Sequence, residues 1–228
     1  MKRTNLWKAL VLSLVITLLI VSTVFAATTY TIPKVSKAPT LDGKLDDEAW
    51  KIAEKAGAYF TDFSLNIGGK PSVNTEAWMV WDGENLYIAF RNYQDMSSLK
   101  ATVTQHDGKV FNDDDNEYFL APDWPSPRPY YQLITNSLGT RYDKKERDNL
   151  AWNCNWKVAI GKLNDSWVSE VCIPLKEIGK EPKEGDEWGF NITRYWDKGR
   201  ESITFTPGLE AFHTPEKFSI LKFGGEPR

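Results

Sequence analysis

The chain has 228 residues and a formal net charge of -3, from 28 Lys and Arg against 31 Asp and Glu. This mildly acidic balance argues against nucleic acid and anionic lipid as partners, because both select basic surfaces. It suits a neutral partner, and the length suits one all-β domain.

The first 26 residues predict a secretory signal peptide. Three basic residues precede a mostly apolar stretch over 9–25, and Val24-Phe25-Ala26 supplies the small residues that signal peptidase reads. The apolar stretch is short for a membrane span, and an uncleaved anchor is the alternative. We therefore expect a protein that is secreted or at the cell surface, with no membrane contact after cleavage and a single domain over 28–228.

Short β-strands are predicted along the remainder of the chain. Leu86, Ile88 and Phe90 alternate with polar or smaller residues, which is typical of a half-buried strand, and Asp82-Gly83-Glu84-Asn85 predicts the hairpin turn before them. The nine predicted strands cover Glu76–Trp81, Leu86–Asn92, Asn116–Ala121, Tyr130–Asn136, Asn155–Ile160, Trp167–Ile173, Trp188–Tyr195, Glu201–Phe205 and Lys217–Phe223.

Helical periodicity is nearly absent elsewhere. One short helix is predicted after Asp46, which can cap it, with Trp50, Ile52 and Ala53 on its inner face. Pro174–Ile178 predicts a single helical turn. The fold class is therefore all-β, a two-sheet antiparallel β-sandwich of jelly-roll type with one or two short helices.

The residues from Phe111 to Pro122 are the strongest indication of a binding site. An acidic run leads into a strand that contains Glu117, and the next predicted strand contains Gln132 and Asn136. Carboxylates, amides and aromatic rings on neighbouring strands suit a sugar, because rings cover its apolar C–H faces while polar groups pair its hydroxyls. An acidic loop before an ordinary strand is the alternative.

Asp113, Asp114 and Asp115 could bind calcium, which takes six to eight oxygen ligands. They lack the spacing of a known calcium loop, and solvation of the loop is the alternative. No organic cofactor is expected.

Trp124 and Trp196 are the better candidates for exposed sugar platforms. Trp124 lies among prolines in a loop and Trp196 follows a strand end, and loops carry function more often than cores do. Regular alternation places Asn191 and Arg194 on opposite strand faces, so only one of them can reach a ligand there.

Cys154 and Cys172 flank a predicted hairpin. In an oxidising compartment we expect a cross-strand disulfide between them. Two small buried apolar residues are the alternative.

Six motifs occur in an order and spacing that resemble the family 9 carbohydrate-binding modules and, more broadly, the DOMON-like β-sandwich group. They are Leu41-Asp42-Gly43-Lys44-Leu45-Asp46-Asp47-Glu48-Ala49-Trp50, Trp81-Asp82-Gly83-Glu84-Asn85-Leu86-Tyr87, Asp114-Asp115-Asn116-Glu117-Tyr118-Phe119, Trp167-Val168-Ser169-Glu170-Val171-Cys172-Ile173-Pro174, Trp188-Gly189-Phe190-Asn191-Ile192-Thr193-Arg194 and His213-Thr214-Pro215-Glu216-Lys217-Phe218. The resemblance implies a pair of antiparallel sheets that binds glucose, xylose or their oligomers, with calcium in loops away from the sugar.

The resemblance also implies specific site residues. The family's strand Glu corresponds to Glu117, its two clamp Trp residues fall near Phe111 and Phe212, and its basic hydrogen-bonding residue falls near Gln132. Both clamp rings are therefore Phe here, and an amide replaces the charged group. The implied groove is rimmed by the loops 111–115 and 205–215.

The leading hypothesis is a monomeric, non-catalytic protein that binds mono-, oligo- or polysaccharides of the glucan or xylan class. A glycoside-active enzyme is the first alternative and would need a carboxylate pair such as Glu117 with Asp114 or Glu170. A haem-binding redox domain is the second, and its candidate ligands are Met79, Met96, His106 and His213.

Overall fold

The computed structural model describes residues 27–61, 63–65 and 69–227, so the predicted signal peptide lies outside the described residues. The strands and the helix of the described ranges are β1 (Thr29–Ile32), α1 (Glu48–Lys55), β2 (Tyr59–Thr61), β3 (Phe63–Ser64), β4 (Thr75–Trp81), β5 (Asn85–Tyr93), β6 (Asp115–Ala121), β7 (Tyr131–Asn136), β8 (Arg141–Lys145), β9 (Lys157–Lys162), β10 (Ser166–Pro174), β11 (Glu187–Trp196), β12 (Glu201–Thr204) and β13 (Ser219–Phe223). Short 3-10 turns cover Met96–Ser98, Val110–Asn112, Leu175–Ile178 and Pro215–Lys217.

The strands form two sheets that pack face to face. The larger sheet has the order β1-β13-β11-β6-β7-β8, with β12 paired to β11 and β3 paired to β12. The smaller sheet has the order β2-β4-β5-β10-β9. The pair β1–β13 is parallel, and the other described pairs are antiparallel. The predicted β-sandwich is therefore confirmed.

All nine predicted strands are found, with bounds that shift by a few residues. The prediction missed β1, β2, β3 and β8. The first three are only two to four residues long. The sequence of β8, Arg-Tyr-Asp-Lys-Lys, contains four charged residues and lacks the apolar alternation by which the other strands were found.

The predicted helix is present, but its cap differs. Asp47, not Asp46, occupies the N-cap position, and its carboxylate accepts the Thr40 N–H at 3.1 Å instead of capping the helix. Trp50 and Ala53 are buried, as expected of the inner face.

A buried carboxylate fastens the segment before α1 to the smaller sheet. Glu170 of β10 accepts the indole N–H of Trp50 at 2.9 Å and the backbone N–H of Gly43 at 2.7 Å. Gly43 has a φ of 79°, and an added Cβ would lie 2.6 Å from the backbone of Gly161. Only glycine fits this close crossing, because any other residue would be destabilised by both the positive φ and the steric clash of its Cβ.

The main core lies between the sheets. Tyr118, Leu120 and Leu133 of the larger sheet pack there with Ile88 and Phe90 of the smaller one. Because side chains alternate along a strand, every second residue of β6, β7, β8 and β11 points to the opposite surface, called here the outer face. No helix in the described part of the chain is long and apolar enough to cross a bilayer.

Candidate functional site

A strip of three polar side chains crosses the outer face of the larger sheet. Glu117 of β6, Gln132 of β7 and Lys144 of β8 form it, and the register places Gln132 directly beside Lys144. Gln132 Nε2 donates to Glu117 Oε2 at 2.6 Å. The three residues are buried, at 6%, 3% and 9% exposure respectively. Burying a charge or an amide costs free energy unless the group is paired, so this strip is a costly feature that needs partners.

Several polar atoms of the strip and its neighbours have no partner among the described residues. They are Gln132 Oε1, Thr193 Oγ1 and Asn191 Nδ2, and all are buried. The Lys144 ammonium donates to the backbone oxygen of Arg147 at 3.2 Å, which uses one of its three N–H groups. An unsatisfied buried donor or acceptor costs about 1–3 kcal/mol. Asn191 and Thr193 are fully enclosed, whereas Gln132 retains 3% exposure, so Gln132 Oε1 is the atom of the three that suits a hydrogen bond from a polar ligand.

Burial also tunes the charges of the strip. It raises the pKa of Glu117 to about 7, against the opposing effects of the Gln132 hydrogen bond and the Lys144 charge. Burial lowers the pKa of Lys144, while the charge of Glu117 raises it. Asp115 lies two residues earlier on the same face, and burial together with repulsion from Glu117 raises its pKa well above the ordinary value. Glu117 therefore exchanges its proton near neutral pH.

Two phenylalanine rings flank the strip. Phe111 is 42% exposed, and its ring lies edge-to-face with Tyr142 at 5.8 Å. The Phe212 ring lies 6.2 Å from that of Phe119. Tyr142 stands on β8 and Phe119 on β6, two strands apart, which is about 10 Å. The two rings therefore rise on either side of Gln132, one from each edge of the strip.

His213 completes one wall of the site. Its Nδ1 lies 3.0 Å from the Tyr130 hydroxyl, and its ring lies 5.3 Å from that of Phe119. Burial and the positive charges of Lys144 and Arg147 lower the pKa of His213 to about 4. The imidazole is thus neutral at neutral pH. The sequence had suggested it only as a haem ligand.

Arg194, predicted as a sugar ligand, lies on the opposite side of the sheet. Its guanidinium donates to Asn74 O and Thr75 Oγ1 at 3.1 and 3.0 Å, and to Tyr93 O and Gln94 Oε1 at 3.2 and 2.5 Å. It therefore ties β11 to the smaller sheet. The predicted alternation is right, because Asn191 points to the outer face where Arg194 cannot.

Asn136 is also a structural residue. Its Nδ2 donates to Val103 O at 2.8 Å and to Asp113 Oδ2 at 2.9 Å, and its Oδ1 accepts the N–H groups of Leu138 and Thr140 at 3.1 Å each. The amide is fully used in shaping the turn after β7, so the predicted contact with sugar is corrected.

The three consecutive aspartates predicted as calcium ligands do not converge in the structure, because their carboxylates engage different parts of the chain. Asp113 accepts the N–H groups of Thr102 and Val103 at 3.0 and 2.9 Å, and these bonds lower its pKa although burial raises it. Asp114 accepts from Lys100 N at 2.7 Å and from Asp197 N at 3.0 Å.

Asp115 points instead to the outer face. Its Oδ1 accepts the Tyr195 N–H at 3.3 Å, and its Oδ2 has no partner among the described residues. The acidic run therefore organises loops and the end of β6.

A different set of ligating atoms does converge. One ligand atom each from His106, Asp107 and Asp143 lie within 4.8 Å of one another. Both oxygens of Asp143 already accept hydrogen bonds, from Cys154 N at 3.0 Å and from Trp156 Nε1 at 2.9 Å. We therefore interpret His106, Asp107 and Asp143 as part of a structural hydrogen-bond network.

The two tryptophan candidates do not line the strip. Trp196 points to the same side of β11 as Arg194, and Gly199 lies against its ring. Trp124 lies against Gly189, at the other end of the outer face. Neither ring faces Glu117.

The predicted disulfide is absent from the structure, in which Cys154 and Cys172 are free and buried. Cys172 lies opposite Lys157, the first residue of β9. Cys154 precedes that strand by three residues, so it lies beyond the paired region. Cys154 and Cys172 therefore match the alternative prediction, which was two small buried apolar residues.

Lys144 is the residue of the candidate site that the sequence did not predict. It lies on β8, a strand that was not predicted, so the sequence could not show which face of the sheet its side chain points to. The signal that could have found it is the turn before β8, where Gly139 adopts a φ of 77°. A glycine turn after one strand predicts a returning hairpin strand, and alternation then places Lys144 beside Gln132.

A β-sandwich with a buried carboxylate, amide and ammonium between two aromatic rings has the chemistry of a sugar-binding protein. The family described as carbohydrate family 9 binding domain-like matches residues 41–216. The chain belongs to this family of carbohydrate-binding modules.

Two solved structures of a family 9 module from Caldicellulosiruptor kristjanssonii share this fold. The one in complex with cellotriose is 15% identical, with a TM-score of 0.64, and the match covers 88% of this chain and 95% of that one. The one in complex with glucose is 16% identical, with a TM-score of 0.59, and the match covers 87% and 97%. No curated protein matches the sequence.

Proposed function

We propose that this protein is exported by residues 1–26 and binds glucan- or xylan-type saccharides without catalysis, in the site formed by Glu117, Gln132, Lys144, Phe111 and Phe212. The single observation that carries the proposal is the buried Glu117–Gln132 hydrogen bond of 2.6 Å, which leaves Gln132 Oε1 without a partner among the described residues. A saccharide hydroxyl can donate to that oxygen, and the flanking rings can cover the sugar's C–H faces.

The comparison structures support the saccharide class, since the similar modules are complexes with cellotriose and with glucose. The replacement of the expected basic residue by Gln132 is offset here by Lys144 on the adjoining strand. Its ammonium retains two N–H groups that can donate to hydroxyl or ring oxygens.

The arrangement of acids favours binding over hydrolysis. A glycosidase needs two carboxyl groups about 5–10 Å apart across the scissile bond. Glu170 lies on the outer side of the smaller sheet, and Asp114 is engaged by backbone N–H groups. Asp115 shares the outer face with Glu117, but its side chain has no exposed surface, whereas Glu117 retains 6%.

Three of the four candidate haem ligands are already engaged within the fold, and the fourth, Met96, is a partly exposed residue in the turn Met96–Ser98. Met79 is enclosed in the core, and His213 is engaged by the Tyr130 hydroxyl. His106 bonds to Arg141 O at 3.0 Å.

Titration calorimetry of residues 27–228 with glucose, cellotriose, xylobiose and their reduced alditols tests the proposal. Heat with the intact sugars that disappears with the alditols indicates recognition of a reducing end. Heat with both indicates a chain-binding groove. A folded sample that binds none of them, and releases reducing sugar from cellulose or xylan or shows a haem absorption band, would overturn the proposal.

A further inference from the structure

A second aromatic surface lies on the outer face, away from the Glu117 strip. The Trp124 ring packs against Gly189 of β11, where an added Cβ would lie 2.8 Å from the ring. Gly189 pairs with Ala121 of β6. Ala121 is four residues from Glu117, which is about 13 Å along a strand. The absence of a side chain at Gly189 thus fixes Trp124 on the same face as the strip but well separated from it.

Trp124 borders an open cavity of about 600 Å³, a volume in the range of ligand sites. The other lining residues are Pro122, Pro125, Lys180, Gly185, Asp186, Glu187 and Trp188. Glu187 lies two residues before Gly189 and therefore points to the same face as the Trp124 ring. Trp188 points to the opposite side, into the core between the sheets.

The charges of the cavity are held in place. Lys180 Nζ donates to Pro122 O at 3.2 Å and pairs with Asp123 at 3.3 Å. Asp186 accepts the Lys183 N–H at 2.9 Å. Acids outnumber Lys180 around the Trp124 ring, so the surroundings disfavour an anionic ligand. An aromatic ring with carboxylates and an ammonium around it suits a neutral pyranose.

We propose that this cavity is a second saccharide-binding site, with Trp124 as the stacking platform and Lys180, Asp186 and Glu187 as hydroxyl partners. The inference rests on the proposed function and extends it. A long polysaccharide can contact both sites at once, whereas a single short sugar molecule can fill only one of them. Linked contacts raise the apparent affinity for the long chain without raising the affinity for the short one.

The test compares wild type with Trp124→Ala and with Trp78→Ala, a matched control whose partly buried ring lies on the smaller sheet 5.2 Å from that of Tyr59. Glucose and cellotriose are titrated by calorimetry, and retention on insoluble cellulose and xylan is measured by depletion. We expect Trp124→Ala to keep its glucose affinity within about twofold, because distant sites act independently. Its retention on polysaccharide should fall about tenfold or more. Trp78→Ala should change neither.

A second variant protects the test against misfolding. Lys180→Ala combined with Glu187→Ala removes hydroxyl partners but leaves the Trp124 ring on Gly189, and the same selective loss on polysaccharide is expected. Unchanged polysaccharide retention in folded Trp124→Ala, or in this double variant if Trp124→Ala does not fold, overturns the second site.

If the proposed function is wrong, the result is different: the wild-type protein gives no binding heat with glucose or cellotriose. In that case cellulose retention that Trp124→Ala abolishes still supports the second site, and no retention by wild type overturns it.

Discussion

Gln132 Nε2 and Glu117 Oε2 lie 2.6 Å apart on neighbouring strands, which fixes the orientation of a buried carboxyl group in the strip that two aromatic rings flank. The amide also determines which atoms are left for a ligand, because Gln132 donates one of its two amide N–H groups to Glu117 and its oxygen has no partner among the described residues. The proposed recognition of a saccharide therefore depends on both side chains rather than on Glu117 alone.

At pH 8, above the Glu117 pKa of about 7, Glu117→Gln should weaken glucose and cellotriose binding about 10- to 100-fold, because a hydrogen bond to a charged group contributes about 1.5–3 kcal/mol. Titration calorimetry measures the change. Glu54→Gln, an exposed carboxylate on α1, is the matched control and should bind as wild type does. Equal affinities for the two variants would contradict the assignment of Glu117.

Glu117 should also make the stability of the ligand-free protein depend on pH. Burial raises its pKa from 4.5 to about 7, so the folded protein holds this proton more tightly than the unfolded chain does. The resulting stabilisation is fully present below about pH 4.5 and is lost as the pH rises to about 7. Urea unfolding of wild type and Glu117→Gln across this range should show the wild-type advantage shrinking as pH rises. A pH-independent difference would count against a buried, protonated Glu117.

His213 should act in the opposite direction. Burial lowers its pKa from 6.5 to about 4, so its contribution to the free energy of unfolding is present above about pH 6.5 and is lost as the pH falls towards 4. In His213→Gln, which cannot titrate, the loss of stability on acidification should be smaller than in wild type. Urea unfolding at pH 6.5 and pH 4.5 measures it, with exposed His106→Gln as the control. The same acid loss in His213→Gln as in wild type would disprove this role.

Phe111→Ala should weaken sugar binding by about tenfold, because an aromatic contact adds about 0.5–1.5 kcal/mol beyond the area that it buries. Stability should change little, since the ring is 42% exposed. Calorimetry and thermal unfolding separate the two effects. Leu163→Ala, an exposed side chain on the smaller-sheet side, provides the control. A large loss of stability without a loss of affinity would show that Phe111 is a packing residue.

Arg194→Met should lower the free energy of unfolding by about 3 kcal/mol or more, because it leaves buried acceptors without their donor. Denaturant unfolding measures the loss. The folded fraction should keep its glucose affinity, since Arg194 bonds between the sheets and not towards the outer face. Loss of glucose affinity in a fully folded variant would show that Arg194 contributes to the binding site after all.

Alternation explains which parts of the site the sequence could predict. Glu117 and Gln132 belong to strands with clear apolar patterns, so their element could be assigned, and the structure brings them into contact. The faces of Asn191 and Arg194 also follow from parity, but parity cannot tell which of the two faces meets the other sheet. Arg194 was misassigned for that reason.

Register and loop contacts explain the rest. The partners of Asp113 lie 10 and 11 residues before it, in an irregular segment with no periodic pattern. The separation of Cys154 from Cys172 depends on where β9 begins, two residues later than predicted. Hydrogen-bond partners of this kind become visible only when the chain is folded.

The position of β8 has a second consequence. It is the last strand of the larger sheet, where unpaired backbone groups would invite pairing with another molecule. Asp107 and Asn149 occupy that edge. The Asp107 N–H donates to Arg141 O at 3.0 Å, Asp107 Oδ1 accepts the Asp143 N–H at 3.3 Å, and the Lys145 N–H donates to Asn149 O at 3.1 Å. The strand that supplies the ammonium of the site is thus protected against edge-to-edge aggregation by neighbouring segments of its own chain.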